Sequence, residues 1–277
     1  MPHIFFRERM DPLTEMSLAF FFSLVISNLL VDFVLQPDHW VKDKNENKWH
    51  STYLYRHGAL AGFLAFVPTL FFYGWFLAIG VFIVVGLTHL IIDGFKAQLN
   101  GKNGDLATYK DVRLFFIDQL FHLLVLILIW RFIYGLNLTP LHPYFDEVTI
   151  YNVIIILLGY LIVLWPGGVF IGKLLGYIGL KADTEKKETR DNGLKNAGTY
   201  IGYLERFLIL SFILANQYIA IGFLVGAKAI FRYTDQRDVS EYILTGTLLS
   251  YSVAIIVGMG VVYLLCLSNP FYLCTSP

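Results

Sequence analysis

WFLAIGVFIVVGLTHLIIDGFK, residues 75–96, decides the class of this chain. Its 22 residues are apolar or glycine except for Thr88, His89, Asp93 and the closing Lys96. As an α-helix rising 1.5 Å per residue it is about 33 Å long, enough for a hydrocarbon core of roughly 30 Å. Runs of the same kind cover 16–36, 57–74, 113–135 and 149–171, with Tyr73-Gly74 marking a tight turn between the second and third. Over the whole chain 56% of residues are hydrophobic and 15% charged, with a mean hydropathy of +0.60. Soluble domains carry charge on about a quarter of their residues, so most of this mass belongs in lipid. The expected fold is all-α, a polytopic transmembrane helix bundle.

The second half needs more work. The fifth run reaches Trp165-Pro166-Gly167-Gly168, where proline removes a donor and kinks the helix, and residues 168–180 continue as an apolar stub along the interface. As one helix, 198–232 would be about 50 Å long, so Asn216-Gln217 at its centre is read as the tip of a hairpin of two short spans, 199–215 and 218–232. A last span covers 241–264. Eight spans put 18 of the 21 Lys and Arg residues on one side, leaving Arg7, Arg9 and Arg131 on the other; seven spans give 15 against 6. Eight is preferred, seven the alternative, with the charged loops cytoplasmic and both termini outside the cell (inner) membrane. The chain divides into an N-terminal four-helix half, 1–135, and a C-terminal half, 136–277, whose charged tether 181–197 is a candidate dock for a cytoplasmic protein. Lys+Arg and Asp+Glu balance at 21 each, and nothing calls for a nucleic-acid partner. Cys266 and Cys274 lack metal-type spacing, and a disulfide framework is not expected.

Seven polar side chains then stand out by depth. Asp32, Gln36, His57, His89, Asp93, Asp118 and His122 come from four helices and all fall within roughly 13 Å of one boundary. An ionisable group in hydrocarbon costs about 2.5–3.5 kcal/mol on insertion scales, so each marks a functional site by default. His89/Asp93 and Asp118/His122 have i, i+4 spacing, which puts each pair on one helix face. Their order is reversed and the helices are antiparallel, so His89 levels with His122 and Asp93 with Asp118. Asp32 and His57 complete a set of three carboxylates and three imidazoles, suited to Zn²⁺ first among the divalent ions, and to two ions as well as one. His57, beside Arg56, is read either as a ligand or as a residue at the headgroup level. Gln36 is an outer hydrogen-bonding partner. His39 and His50 are surface residues, unless their loop folds over the site and recruits one. Elsewhere Gly246, Ser250, Ala254 and Gly258, Gly168, Gly172 and Gly176, and Gly222 and Gly226 are spaced for close helix packing. Glu205 and Lys228 are expected to pair.

LLVDFVLQPDHW (29–40), GLTHLIIDGFK (86–96) and LFFIDQLFHLLVL (114–126) resemble a bacterial membrane family catalogued as domain of unknown function 3307. IGYLERFLILSF (201–212), AIGFLVGAKAIFRY (220–233) and EYILTGTLLS (241–250) extend the resemblance over most of the chain. It implies importance for Asp32, His89, Asp93, Asp118, Gln119 and His122, with Gln119 as a second outer partner, and brings no activity with it.

Three functions compete. The first is a metal-dependent hydrolase of a lipid-like substrate, in which Asp32 or Asp118 acts as general base. The second is a non-enzymatic scaffold or sensor whose cluster is structural. The third is a proton or cation transporter, disfavoured because the polar residues of spans one to four stop near one face and no inverted repeat is evident.

Overall fold

The computed structural model describes residues 10–100, 108–138, 147–178, 197–231 and 237–268, and within them every regular element is helical. Five helices are long and apolar enough to cross a membrane: Pro12–Val34, Trp75–Leu99, Val112–Gly135, Val148–Tyr177 and Leu244–Ser268. The chain divides into two compact units, Met1–Leu158 with Leu267–Asn269, and Gly159–Cys266 with Pro270–Pro277.

In the first unit α1 (Pro12–Leu29) starts four residues earlier than the sequence reading placed it. Asp11 caps it, accepting from the Thr14 amide at 3.0 Å, and Pro12 occupies the first turn, where its missing N–H costs nothing. The two hydrogen bonds from Thr14 hold the exposed Asp11 carboxyl below its ordinary value. The early start draws Glu15 into the helix, fully buried. After α1 the chain makes one π-helical turn, Leu30–Val34, closed by Leu35 N–H donating to Leu30 O at 2.8 Å. Then α2 (Asp38–Asn47) and a short 3₁₀ turn, Lys48–His50, lead into α3 (Thr52–Tyr73), capped by the Ser51 hydroxyl. The helix starts five residues before the expected start, because the amphipathic TYLYR segment is helical too.

Gly74, at φ 84°, makes the turn into α4 (Trp75–Leu99). The two helices approach through glycine: a Cβ on Gly62 would lie 2.5 Å from Phe82 O, and one on Gly58 2.9 Å from Gly86 O. Such close backbones are the usual device where no hydrophobic drive separates helix from lipid. Pro68 within α3 leaves the Leu64 carbonyl without its helical donor, and the Ser27 hydroxyl of α1 supplies one at 2.8 Å. On α5 (Thr108–Gly135), Trp130 Nε1 donates to Ser17 Oγ at 2.9 Å, tying α5 to α1. Leu120, Phe121, Leu124, Leu128 and Phe132 stay exposed along α5, as a lipid-facing side requires.

The second unit contains the end of α6 (Glu147–Leu164), α7 (Pro166–Tyr177), α8 (Ala197–Leu214), α9 (Tyr218–Phe231) and most of α10 (Arg237–Ser268). The helix breaks at Trp165, and Pro166 starts α7. Arg206 fills the break. Its guanidinium donates to Val163 O, to Leu164 O at 3.2 Å and to Ser250 Oγ at 3.3 Å. The hairpin expected at 215–217 is present, with Asn216 at φ 57°. At about 27 and 21 Å, α8 and α9 are shorter than the hydrocarbon core.

The core of this unit is Val163, Ile209, Leu210, Ile213, Tyr251 and Ala254. Gly258 packs on Ile213, but Gly172, Gly222 and Gly226 face open space, so their spacing does not mark a seam here. Glu205 and Lys228 pair as expected. Cys266 is disulfide-bonded, against the sequence expectation. The tether at 181–197 lies outside the described residues up to Ala197, which opens α8.

Candidate metal centre

Four elements bring the carboxylates and imidazoles together. The glycine seam sets α3 against α4 with His57 beside Gly58 and His89 one turn beyond Gly86, leaving the two ring centroids 5.7 Å apart. Across to α5, His89 stacks on His122 with centroids 3.9 Å apart. The reversed order of the two i, i+4 pairs therefore does level them. The π-helical turn presents Asp32, the fourth contribution. Such turns, an extra residue in the helical repeat, recur at functional sites.

The six groups form two triads, Asp32/His57/His89 and Asp93/Asp118/His122, and in each the potential ligand atoms lie within 4.8 Å of one another. Asp32 Oδ1 is 3.2 Å from His57 Nε2 and 3.6 Å from His89 Nε2. Asp93 belongs to the second triad but reaches the first, with Oδ2 3.2 Å from His57 Nε2 and Oδ1 3.7 Å from His122 Nε2. His122 Nε2 is also 3.6 Å from Asp118 Oδ1. His57 is 1% exposed, and because the helix begins at Thr52 it sits more than a turn inside α3.

Four atoms here are buried with no hydrogen-bond partner: His89 Nε2, Asp118 Oδ1 and both ring nitrogens of His122. Leaving a buried polar group unsatisfied costs about 1–3 kcal/mol, so four in one cluster demand a reason. The donor set answers it. Imidazole nitrogens and carboxylate oxygens at this spacing, without thiolate, are the ligands of Zn²⁺ and other first-row divalent ions.

Other side chains hold the cluster from outside. Asn28 donates to Asp32 Oδ2 at 3.2 Å. Gln119 donates to the same oxygen at 3.1 Å and lies 3.3 Å from Asp118 Oδ2, joining the two triads as an outer partner. Gln36 Nε2 sits 3.4 Å from His57 Nδ1, the margin of a hydrogen bond.

Two lysines that the sequence reading left among the soluble charges belong to the site. Lys44 Nζ donates to Asp93 Oδ2 and Lys96 Nζ to Asp118 Oδ2, each at 2.6 Å. Lys44 comes from α2, so the loop does fold over the site; it recruits a lysine, while His39 stacks edge-on against Trp40 and Tyr53. Lys48 Nζ fastens α2 down by donating to Ala97 O at 2.5 Å and Asn100 O at 2.6 Å, the open carbonyls ending α4. Trp49 fills the space over Gly94, where a Cβ would fall 2.3 Å from its ring. The signal was present in part: Trp40 and Lys44 are spaced i, i+4 and share one face of α2.

Glu15 was missed for a different reason, the late start given to span one. It is a buried carboxylate far from the triads along α1, so the polar residues of this helix do not stop at one end. Between the two, however, the hydroxyls of Ser23 and Ser27 donate to backbone carbonyls and leave no ionisable group.

No curated protein and no solved structure matches this chain. The three C-terminal stretches on which the resemblance was extended lie beyond the interval that a family match covers. That interval, residues 20–151, contains every member of both triads and both lysines, and it matches the family described as Protein of unknown function (DUF3307).

Proposed function

We propose that the N-terminal half of this chain is a divalent-metal centre of the inner leaflet and that the protein is a metal-dependent hydrolase of a lipid-accessible substrate. The observation that carries it is the convergence of two His/Asp triads with four buried ligand atoms that make no hydrogen bond. Asp32, His57 and His89 would hold one ion, Asp93, Asp118 and His122 a second, with Zn²⁺ the first choice. A bound dication supplies water whose pKa falls towards about 7. Asp118 and Asp32 are the two candidate proton acceptors: Asp118 Oδ1 makes no hydrogen bond while its Oδ2 takes Lys96 and Gln119, and Asp32 Oδ1 faces two imidazoles while its Oδ2 takes two amides. In the eight-span arrangement with both termini outside, α2 is cytoplasmic and covers the site from that side.

The two lysine–carboxylate pairs favour one other reading, a structural polar cluster in a scaffold or sensor. Elemental analysis of protein purified without chelators separates the two. The hydrolase reading expects one or two divalent ions per chain, lost in His89→Ala and in Asp118→Ala. Absence of metal from the folded wild-type protein overturns it.

A further inference from the structure

Lysines are odd company for a cation site, and both converge on the same triad. Lys44 reaches Asp93 from α2 and Lys96 reaches Asp118 from α4, each at 2.6 Å, while the Asp32/His57/His89 triad is met by side-chain amides, those of Asn28 and Gln119 on Asp32 and that of Gln36 beside His57. Lys44 is almost wholly enclosed, its side chain 9% exposed; Lys96 is 33% exposed and so stands at the mouth.

Charge then selects the ligand. With neutral imidazoles the site sets three carboxylates against two ammonium groups, close to balance. A dication in each triad adds four positive charges and leaves a surplus of three next to hydrocarbon, where uncompensated charge is expensive. A carboxylic ester or amide is neutral and cannot offset it; a phosphoryl group carrying two negative charges can. Ammonium groups beside a dication are also the ordinary way proteins bind phosphate oxygens, lysine serving as a mobile point charge.

We infer that the Asp93/Asp118/His122 side of the centre binds a phosphoryl anion, with Lys44 and Lys96 as its cationic contacts once metal has taken over their carboxylates. The inference rests on the metal reading above and narrows its substrate to phosphate esters. Hydrolysis of one balances simply: water adds its oxygen to phosphorus, the phosphorus–oxygen ester bond breaks, one proton of the water goes to the departing alkoxide and the other remains with the site or the phosphate.

The full chain is loaded with zinc in nanodiscs, and its metal content is measured on the same samples used for binding. Two probes separate the sources: inorganic phosphate, and phosphatidic acid in discs otherwise made of phosphatidylcholine. Stabilisation against thermal unfolding by either probe, present with zinc and absent without it, supports the inference. Protection by phosphatidic acid alone assigns a lipid headgroup; protection by both assigns a phosphoryl pocket open to the aqueous side. Lys44→Met and Lys96→Met are expected to weaken the effective probe at least tenfold while keeping their zinc, and Lys44→Arg and Lys96→Arg to restore most of it. Zinc bound at normal stoichiometry with no response to either probe overturns the phosphoryl inference and leaves the metal centre standing. Failure to bind zinc overturns both.

Discussion

Replacing Lys44 by methionine should make the protein bind metal more tightly. In the metal-free state the Lys44 ammonium is the counter-charge of Asp93, at 2.6 Å and buried with it. Removing one partner of such a pair costs about 3–5 kcal/mol, because the remaining carboxylate is left without compensation. A dication in the triad replaces that compensation, so the loss falls on the empty protein far more than on the loaded one. Repulsion points the same way. An ammonium held about 5 Å from a dication at an effective dielectric of about 20 is opposed by roughly 6–7 kcal/mol, an upper bound because the lysine can swing aside. Survival of about a fifth of that, near 1.4 kcal/mol, is a tenfold change in affinity.

The assay is a zinc titration in detergent against a chromophoric chelator, with thermal melts run at each metal level. The metal-free Lys44→Met protein should unfold earlier than wild type, and zinc should raise its midpoint by more. Its zinc dissociation constant should fall at least tenfold, while Lys44→Arg, which keeps the charge, stays near wild type. A folded Lys44→Met protein whose zinc affinity is unchanged or weaker refutes the reasoning, since the lysine would then not compete with a cation.

The remaining expectations concern what positions the site. Gly62→Ala should destabilise the protein by about 1–3 kcal/mol, as overpacking does, and lower metal affinity, because its Cβ would meet Phe82 O at 2.5 Å and push His57 away from His89; Gly80→Ala, with open space around it, is the control, and circular-dichroism melts with zinc titration compare them. Arg206→Met should cost about 2–5 kcal/mol by leaving the Val163 and Leu164 carbonyls without donors, read as a lower melting temperature with zinc content unchanged. Asp11→Ala should lose the cap of α1. The folded carboxyl lies below its ordinary value of 3.8, so the wild-type contribution is full above that value and disappears as pH falls through the folded value; the difference between wild type and Asp11→Ala should therefore vanish in acid.

Much of this site was legible because depth and helical period are properties of sequence. His89/Asp93 and Asp118/His122 share faces by the 3.6-residue repeat alone, and antiparallel neighbours with reversed order must level, as the stacked rings of His89 and His122 do. What escaped depended on local geometry that hydropathy does not see. The π-helical turn that carries Asp32 leaves no compositional mark. The caps at Asp11 and Ser51 are polar, so a window that searches for apolar runs starts too late and misplaces both Glu15 and His57. Spacing also misled where it was over-read: Gly222 and Gly226 look like a packing seam but a Cβ on either would meet nothing within 4 Å, while Gly58, Gly62 and Gly86, passed over, bring the backbones of α3 and α4 close together.

The lysines show why an apolar frame makes its polar exceptions interpretable. A loop reading DHWVKDKNEN is soluble by composition, and solvation is the ordinary fate of such charges. Three anchors near the end of α2 help hold Lys44 otherwise: Lys48 on the carbonyls that end α4, Trp49 over Gly94, and Asn100 Nδ2 donating to Asn45 Oδ1 at 3.1 Å. The hydrogen bonds described for Lys48 and Asn100 go to α4 carbonyls and to Asn45 rather than to a triad residue, so they bear on the chemistry through the placement of the Lys44 ammonium. Weakening an anchor should then reproduce the metal phenotype of Lys44→Met without altering any ligand. Lys48→Met is the cleanest case, since it frees the end of α2 and leaves Lys44 itself intact. If it tightens zinc binding in the same direction, α2 is a cap whose docking sets the metal affinity of the site; if zinc affinity is unmoved while α2 becomes protease-sensitive, Lys44 finds Asp93 without help from the loop that carries it.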